Sequence, residues 1–257
     1  MFDLFLAEFR RSWIQFRRYP VESIGGVCIT TIFFYGLFLS ARYLAGPGLN
    51  LGDRLDSIVV GYVLWTLVLF IITDVAGNLQ QEAQTGTLEQ LFLSRFSAIQ
   101  LFLIRTLANL AFQMILILII LLIIMALTGS RLSFPLSLIL PFITVLMGAY
   151  GIAFAVGSLA LLFKRIQQLL GIFQFALLFL LATPTETWTA PLNILGNLLP
   201  MTPGAGLLRD LMARGESLNF AHLIVAVVNG AIYLAIGLLI FRLSEREAKR
   251  RGILGGY

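Results

Sequence analysis

The chain has 257 residues, 59% of them hydrophobic and only 12% charged, with a mean hydropathy of +0.93. An ordinary soluble domain carries roughly 25% charged residues, so this composition excludes a water-soluble globule and points to lipid as the solvent. The net charge of +5 does not signal nucleic acid, because the basic residues form short clusters flanking apolar runs, the distribution of cytoplasmic loops.

In chain order, the first element is residues 1–20. Phe2, Phe5, Leu6, Phe9, Trp13 and Phe16 recur at helical spacing, while Glu8, Arg10, Arg11, Arg17 and Arg18 interrupt them. That pattern predicts an amphipathic helix lying on the membrane surface rather than a signal peptide, its aromatic stripe at the headgroup boundary and its arginines against anionic lipid. Tyr19-Pro20 ends it.

Crossing the hydrocarbon takes about 20 apolar residues, and six uncharged runs meet that need within residues 21–243. They lie between Glu22 and Arg42; between Asp56 and Asp74, continuing toward Asn78; between Arg105 and Arg131; from Pro135 to Phe163; from Arg165 to about Pro184; and from about Leu218 to Phe241. The single cysteine, Cys28, sits in the first run and has no partner for a disulfide or a metal motif. In the fourth run Ala149, Ala153 and Gly157 form a stripe of small residues that allows close helix approach.

A seventh uncharged stretch, Thr187 to Leu208, is broken by Pro191, Gly196, Pro200, Pro203, Gly204 and Gly206. With six spans both termini share one side, and that side collects 13 Lys and Arg residues against 5 on the other, so the termini are expected in the cytoplasm. A seventh span would send the basic tail, residues 244–257, outside. Residues 185–212 are therefore expected to form a re-entrant external hairpin, permitted only where other helices bury its backbone. The expected fold is all-α: a polytopic membrane protein with an interfacial helix, six spans and that hairpin.

The segment 80–97, between the second and third spans, reads as a bend at Gly86 followed by a short capped helix. Thr87 with Gln90 forms one capping box, and Ser97 with Gln100 repeats the pattern. Leu88, Leu91 and Phe92 share an apolar face beside the charges of Glu89 and Arg95, as a docking element would.

The string Glu82-x-x-x-Gly86-Thr87-Leu88-Glu89-x-Leu91 resembles the intracellular motif of the type-two ABC permease family, the export-type permeases of drugs, lipids and polysaccharides. Residues 1–20 are similar to that family's N-terminal elbow helix, and Thr183-Pro184 through Arg209-Asp210-Leu211 to its Pro-rich external segment. The chain departs from the pattern at Arg95-Phe96-Ser97, where many members carry a proline.

The resemblance implies that Glu82, Gly86, Thr87, Leu88, Glu89, Leu91, Phe92 and Arg95 contact a separate ABC ATPase subunit, which would bind ATP and Mg. It also implies a second permease subunit, identical or not, and a place in a bacterial inner membrane. The chain itself offers no P-loop, since its two lysines, Lys164 and Lys249, follow Phe163 and Ala248 rather than a glycine. No cofactor or metal is expected in it, and it is not expected to be an enzyme.

Asp74 and Arg105 fall near the cytoplasmic ends of neighbouring spans, where two readings stand level, an intramembrane ion pair or separate snorkelling to the headgroups, and neither makes them substrate ligands. Glu186, Pro191, Pro200, Pro203 and Arg209 are candidate gate residues at the external hairpin, although surface solvation is the favoured role for the charged Glu186, Arg209 and Asp210. His222 has no second metal ligand at suitable spacing.

Two other functions stay open. An ion-coupled carrier would place several carboxylates at mid-membrane, and a membrane scaffold would need no ATPase coupling.

Overall fold

The computed structural model describes residues 2–45, 52–85, 98–162, 167–189 and 191–250, and among these every regular element is a helix. The amphipathic stripe forms α1, Phe2–Arg18. Tyr19 breaks it, and α2 begins at once as Pro20–Ala45, with proline in the first turn where its missing N–H costs nothing. α3 is Gly52–Thr85, running well past Asp74, and α4 is Ala98–Thr128.

A short 3-10 turn, Leu136–Leu138, leads into α5, Ile139–Leu162; α6 is Gln167–Ala182. A second 3-10 turn, Thr185–Thr187, precedes two short helices, α7 Leu192–Leu198 and α8 Thr202–Met212, and the described chain ends with α9, Phe220–Arg250.

Among the described residues, four stretches are long and apolar enough to cross a membrane: Leu55–Glu82, Gln100–Thr128, Leu136–Leu159 and Phe220–Ala248. Two of the six expected runs appear as shorter apolar helices, Ile24–Ser40 and Leu170–Ala182.

α3 is the spine and meets α4, α5, α6 and α8. Its Leu67, Ile71, Val75 and Leu79 recur at four-residue spacing on one face and are all buried, and so are their neighbours Val68, Ile72 and Ala76, so more than one face of the helix is covered. Within its most apolar window 67% of the residues are buried inside the chain, against 28% in α4 and 22% in α9. The outer helices therefore present Ile115, Leu118, Leu122, Val228, Ile232 and Leu239 outward, a surface that suits lipid.

Apolar burial drives little between helices already in lipid, so close contact of small residues has to hold them. α5 and α9 supply it. A Cβ built on Gly151 would overlap the backbone of Tyr233, and one on Gly237 would overlap the carbonyl of Gly151. The Ala149, Ala153 and Gly157 stripe serves the neighbouring seam: both alanines are fully buried, and a Cβ on Gly157 would come within 2.7 Å of Leu79 on α3.

Candidate functional site

Three polar clusters interrupt this apolar bundle. The first ties α1, α3 and α4 together near the end of α3. Arg105 donates from Nη1 to Glu82 Oε1 at 3.0 Å, and its Nε lies 4.0 Å from Glu8 Oε2. The Arg105 side chain is 11% exposed, so the bridge between α3 and α4 is shielded from solvent screening. Of the residues expected to couple to an ATPase, only Glu82 lies among those described; Gly86, Thr87, Leu88, Glu89, Leu91, Phe92 and Arg95 lie outside them, as do the bend and capped helix they would form.

The second cluster corrects the candidate pairing of Asp74 with Arg105. Asp74 instead accepts hydrogen bonds from two side-chain amides. Asn78 Nδ2 donates to Oδ1 at 3.0 Å, while Asn109 Nδ2 reaches Oδ1 at 3.0 Å and Oδ2 at 3.3 Å. Ser12 of α1 donates to Asn109 Oδ1 at 2.6 Å, extending the network onto the first helix. Arg105 stands one turn from Asn109 on α4, but Glu82 and Glu8 occupy its guanidinium. Beside Ser12, the rings of Trp13 and Phe16 meet Phe112 at centroid distances of 6.2 and 5.0 Å, so part of the α1 stripe packs on α4.

The third cluster is built by α8. Arg209 is 1% exposed, which overturns surface solvation as its role. Its Nη1 donates to Glu186 Oε2 at 2.8 Å and its Nη2 to the carbonyl of Leu181, while Nε finds no partner. Arg214 bridges Glu186 Oε1 at 3.1 Å and Asp210 Oδ1. Leu181 lies in the last turn of α6, where carbonyls lack helical partners and the macrodipole is negative, so a guanidinium there caps the helix. Burial pulls the Arg209 pKa down and the Glu186 carboxylate works against that; burial likewise pushes the Asp210 carboxyl above its usual range despite Arg214.

The turn between α7 and α8 is clamped from α9. Met201 sits at φ 64°, in the left-handed region that a non-glycine residue enters at a cost, and its N–H bonds Asn229 Oδ1 at 3.2 Å. Asn229 Nδ2 donates in turn to the carbonyls of Asn197 at 3.0 Å and Leu199 at 3.1 Å. Among the other gate candidates, Pro191 precedes α7 and is exposed, and Pro200 stands in the turn. Pro203 lines a cavity of about 100 Å³ together with Glu186, Asn193, Asn197 and His222.

Sequence reading missed Glu8, Ser12, Asn109, Arg214 and Asn229. Only Arg214 had a local signal, standing four residues after Asp210 on the path out of α8.

No curated protein matches the chain significantly. Residues 50–239, most of its length, match the family described as ABC-2 family transporter protein, and the chain belongs to that family.

Proposed function

We propose that this chain is the membrane permease subunit of an ABC exporter, moving an amphipathic or lipid-like substrate outward across a bacterial inner membrane. Membership of the ABC-2 family carries the reading: such a chain is a membrane transport subunit whose ATPase lies in a separate subunit. That partner binds ATP and Mg, and a second permease subunit completes the pathway. α2 and α6 complete six spans with both termini in the cytoplasm, and α1 lies along the inner headgroups. The α7–α8 hairpin dips into the outer leaflet.

Force enters at residues 82–97, from the end of α3 toward α4. The Glu82–Arg105 bridge supports this reading, because it fastens the two helices on either side of the segment, so a push on the segment moves a joined pair. Packed helices that switch between discrete arrangements then open the pathway on one face and close it on the other.

The test is ATP hydrolysis by the reconstituted permease–ATPase complex. Leu88→Asp is expected to abolish permease-dependent stimulation while the variant chain keeps its detergent melting temperature. Stimulation equal to that of the unmodified complex would refute docking through this segment.

A further inference from the structure

α1, α2, α3 and α4 enclose a cleft of about 370 Å³, within the usual range for small-molecule sites. Its lining is unlike the lipid-facing surface around it. Asp74, Asn109 and Gln113 supply polar groups, and Phe16, Phe70 and Phe112 supply ring surface. Tyr19 and Gly26 also line it and are exposed, so the cleft opens at the junction of α1 and α2.

Arg105 acts on the Asp74 carboxylate only at a distance, opposed by Glu8, and makes no ion pair with it. Asp74 holds two amide donors, and its Oδ2 receives only the longer 3.3 Å bond. Among the described residues no basic group lies within ion-pair distance of it, because Arg105 is committed to Glu82 and Glu8. A carboxylate inside a membrane bundle is costly unless a countercharge meets it, and neutral amides compensate only in part. Aromatic ring faces nearby attract cations as well. The cleft therefore combines a carboxylate that has no direct ion pair among the described residues with aromatic walls and an opening.

We propose that this cleft binds an organic cation with an apolar or aromatic body, its charged centre seated on the Asp74 carboxylate. The proposal rests on the transport reading above and names its substrate class. The cation is either a free amphipathic molecule or the amine headgroup of a phospholipid, since both present the same chemistry to Asp74.

The test is equilibrium binding of radiolabelled tetraphenylphosphonium to the full-length chain in neutral maltoside micelles at mildly alkaline pH, with empty micelles subtracted. Saturable binding is expected, with no comparable binding of tetraphenylborate, which has the same shape and opposite charge. Asp74→Asn is expected to weaken phosphonium binding about thirtyfold or more, the loss that follows removal of one partner of a desolvated charge pair.

Gly26→Phe keeps the carboxylate and adds a ring at the cleft's opening, where a Cβ meets nothing within 4 Å; with an unchanged detergent melting temperature as the check on folding, it is expected to lose binding as well. Competition by added phosphatidylethanolamine, with none by phosphatidylglycerol, assigns the lipid source; absence of competition assigns the free cation. No saturable binding, equal binding of the borate, or unchanged binding in either variant would overturn the proposal. The measurement uses neither ATPase nor nucleotide. Its failure therefore leaves the exporter reading standing, and intact binding without ATPase stimulation would count against the exporter reading alone.

Discussion

A guanidinium that is 1% exposed has given up its water and must be repaid in hydrogen bonds, and Arg209 recovers two partners for its five N–H donors. Removing it uncovers both of them. Glu186 would keep Arg214 but lose its closer partner, and the end of α6 would lose the donor at Leu181. Arg209→Met is expected to destabilise the chain by about 3 kcal/mol, the low end for breaking a buried pair because Arg214 remains. Thermal unfolding in detergent reads this. The double variant Arg209→Met with Glu186→Gln should recover part of the loss, since it removes the stranded charge. An unchanged unfolding temperature in Arg209→Met would show that solvent already reaches the guanidinium.

At the scale of the elements, the seam between α5 and α9 depends on the absence of side chains. Gly151 and Gly237 face each other so closely that either Cβ would strike backbone, which cannot rotate away as a side chain can. Gly237→Ala should cost about 3 kcal/mol or more, whereas Gly36→Ala, with nothing within 4 Å, should be neutral or stabilising by up to about 1 kcal/mol through helix propensity. The same unfolding assay separates them, and equal effects would mean that the two helices are not in contact.

The sequence disclosed the small-residue stripe at Ala149, Ala153 and Gly157, the break at Tyr19-Pro20 and the proline-broken stretch before the last helix, because each is written in local spacing. It could not disclose the partners of Arg209 or Asp74. Glu186 is 23 residues from Arg209 and Asn109 is 35 from Asp74, and no periodicity links residues that only packing brings together. Charge alone suggested Arg105 for Asp74. The geometry gave Arg105 to Glu82, leaving the carboxylate to Asn78, at a legible four-residue spacing on the same helix, and to Asn109 of α4, which carries no sequence signal.

For the whole molecule the number of crossings decides which surfaces meet the ATPase and which meet the exterior. The apolar part of α2, Ile24–Ser40, spans about 25 Å and that of α6, Leu170–Ala182, about 20 Å, both short of a hydrocarbon core of about 30 Å. α2 makes up the difference with its flanking turns, since the helix continues to Ala45. α6 extends beyond its apolar part by only three described residues, from Gln167. It ends where Arg209 caps it and where Thr185, buried against Gly196, begins the next segment, so the proposed six-span arrangement requires α6 and the hairpin to complete one crossing together.

Six spans with a hairpin place Gly215 outside and Arg95 inside; four spans, with α2 and α6 lying flat, keep the termini on one side but move the loops. Because Cys28 is the only cysteine, a Cys28→Ser background accepts single reporter cysteines cleanly. In intact cells a membrane-impermeant maleimide should label Gly215→Cys, should label Arg95→Cys only after permeabilisation, and should leave Leu195→Cys largely unlabelled although that position is 55% exposed in the isolated chain. Ready labelling of Leu195→Cys from outside would place the hairpin in water, and protection of Gly215→Cys until permeabilisation would invert the orientation on which ATPase docking depends.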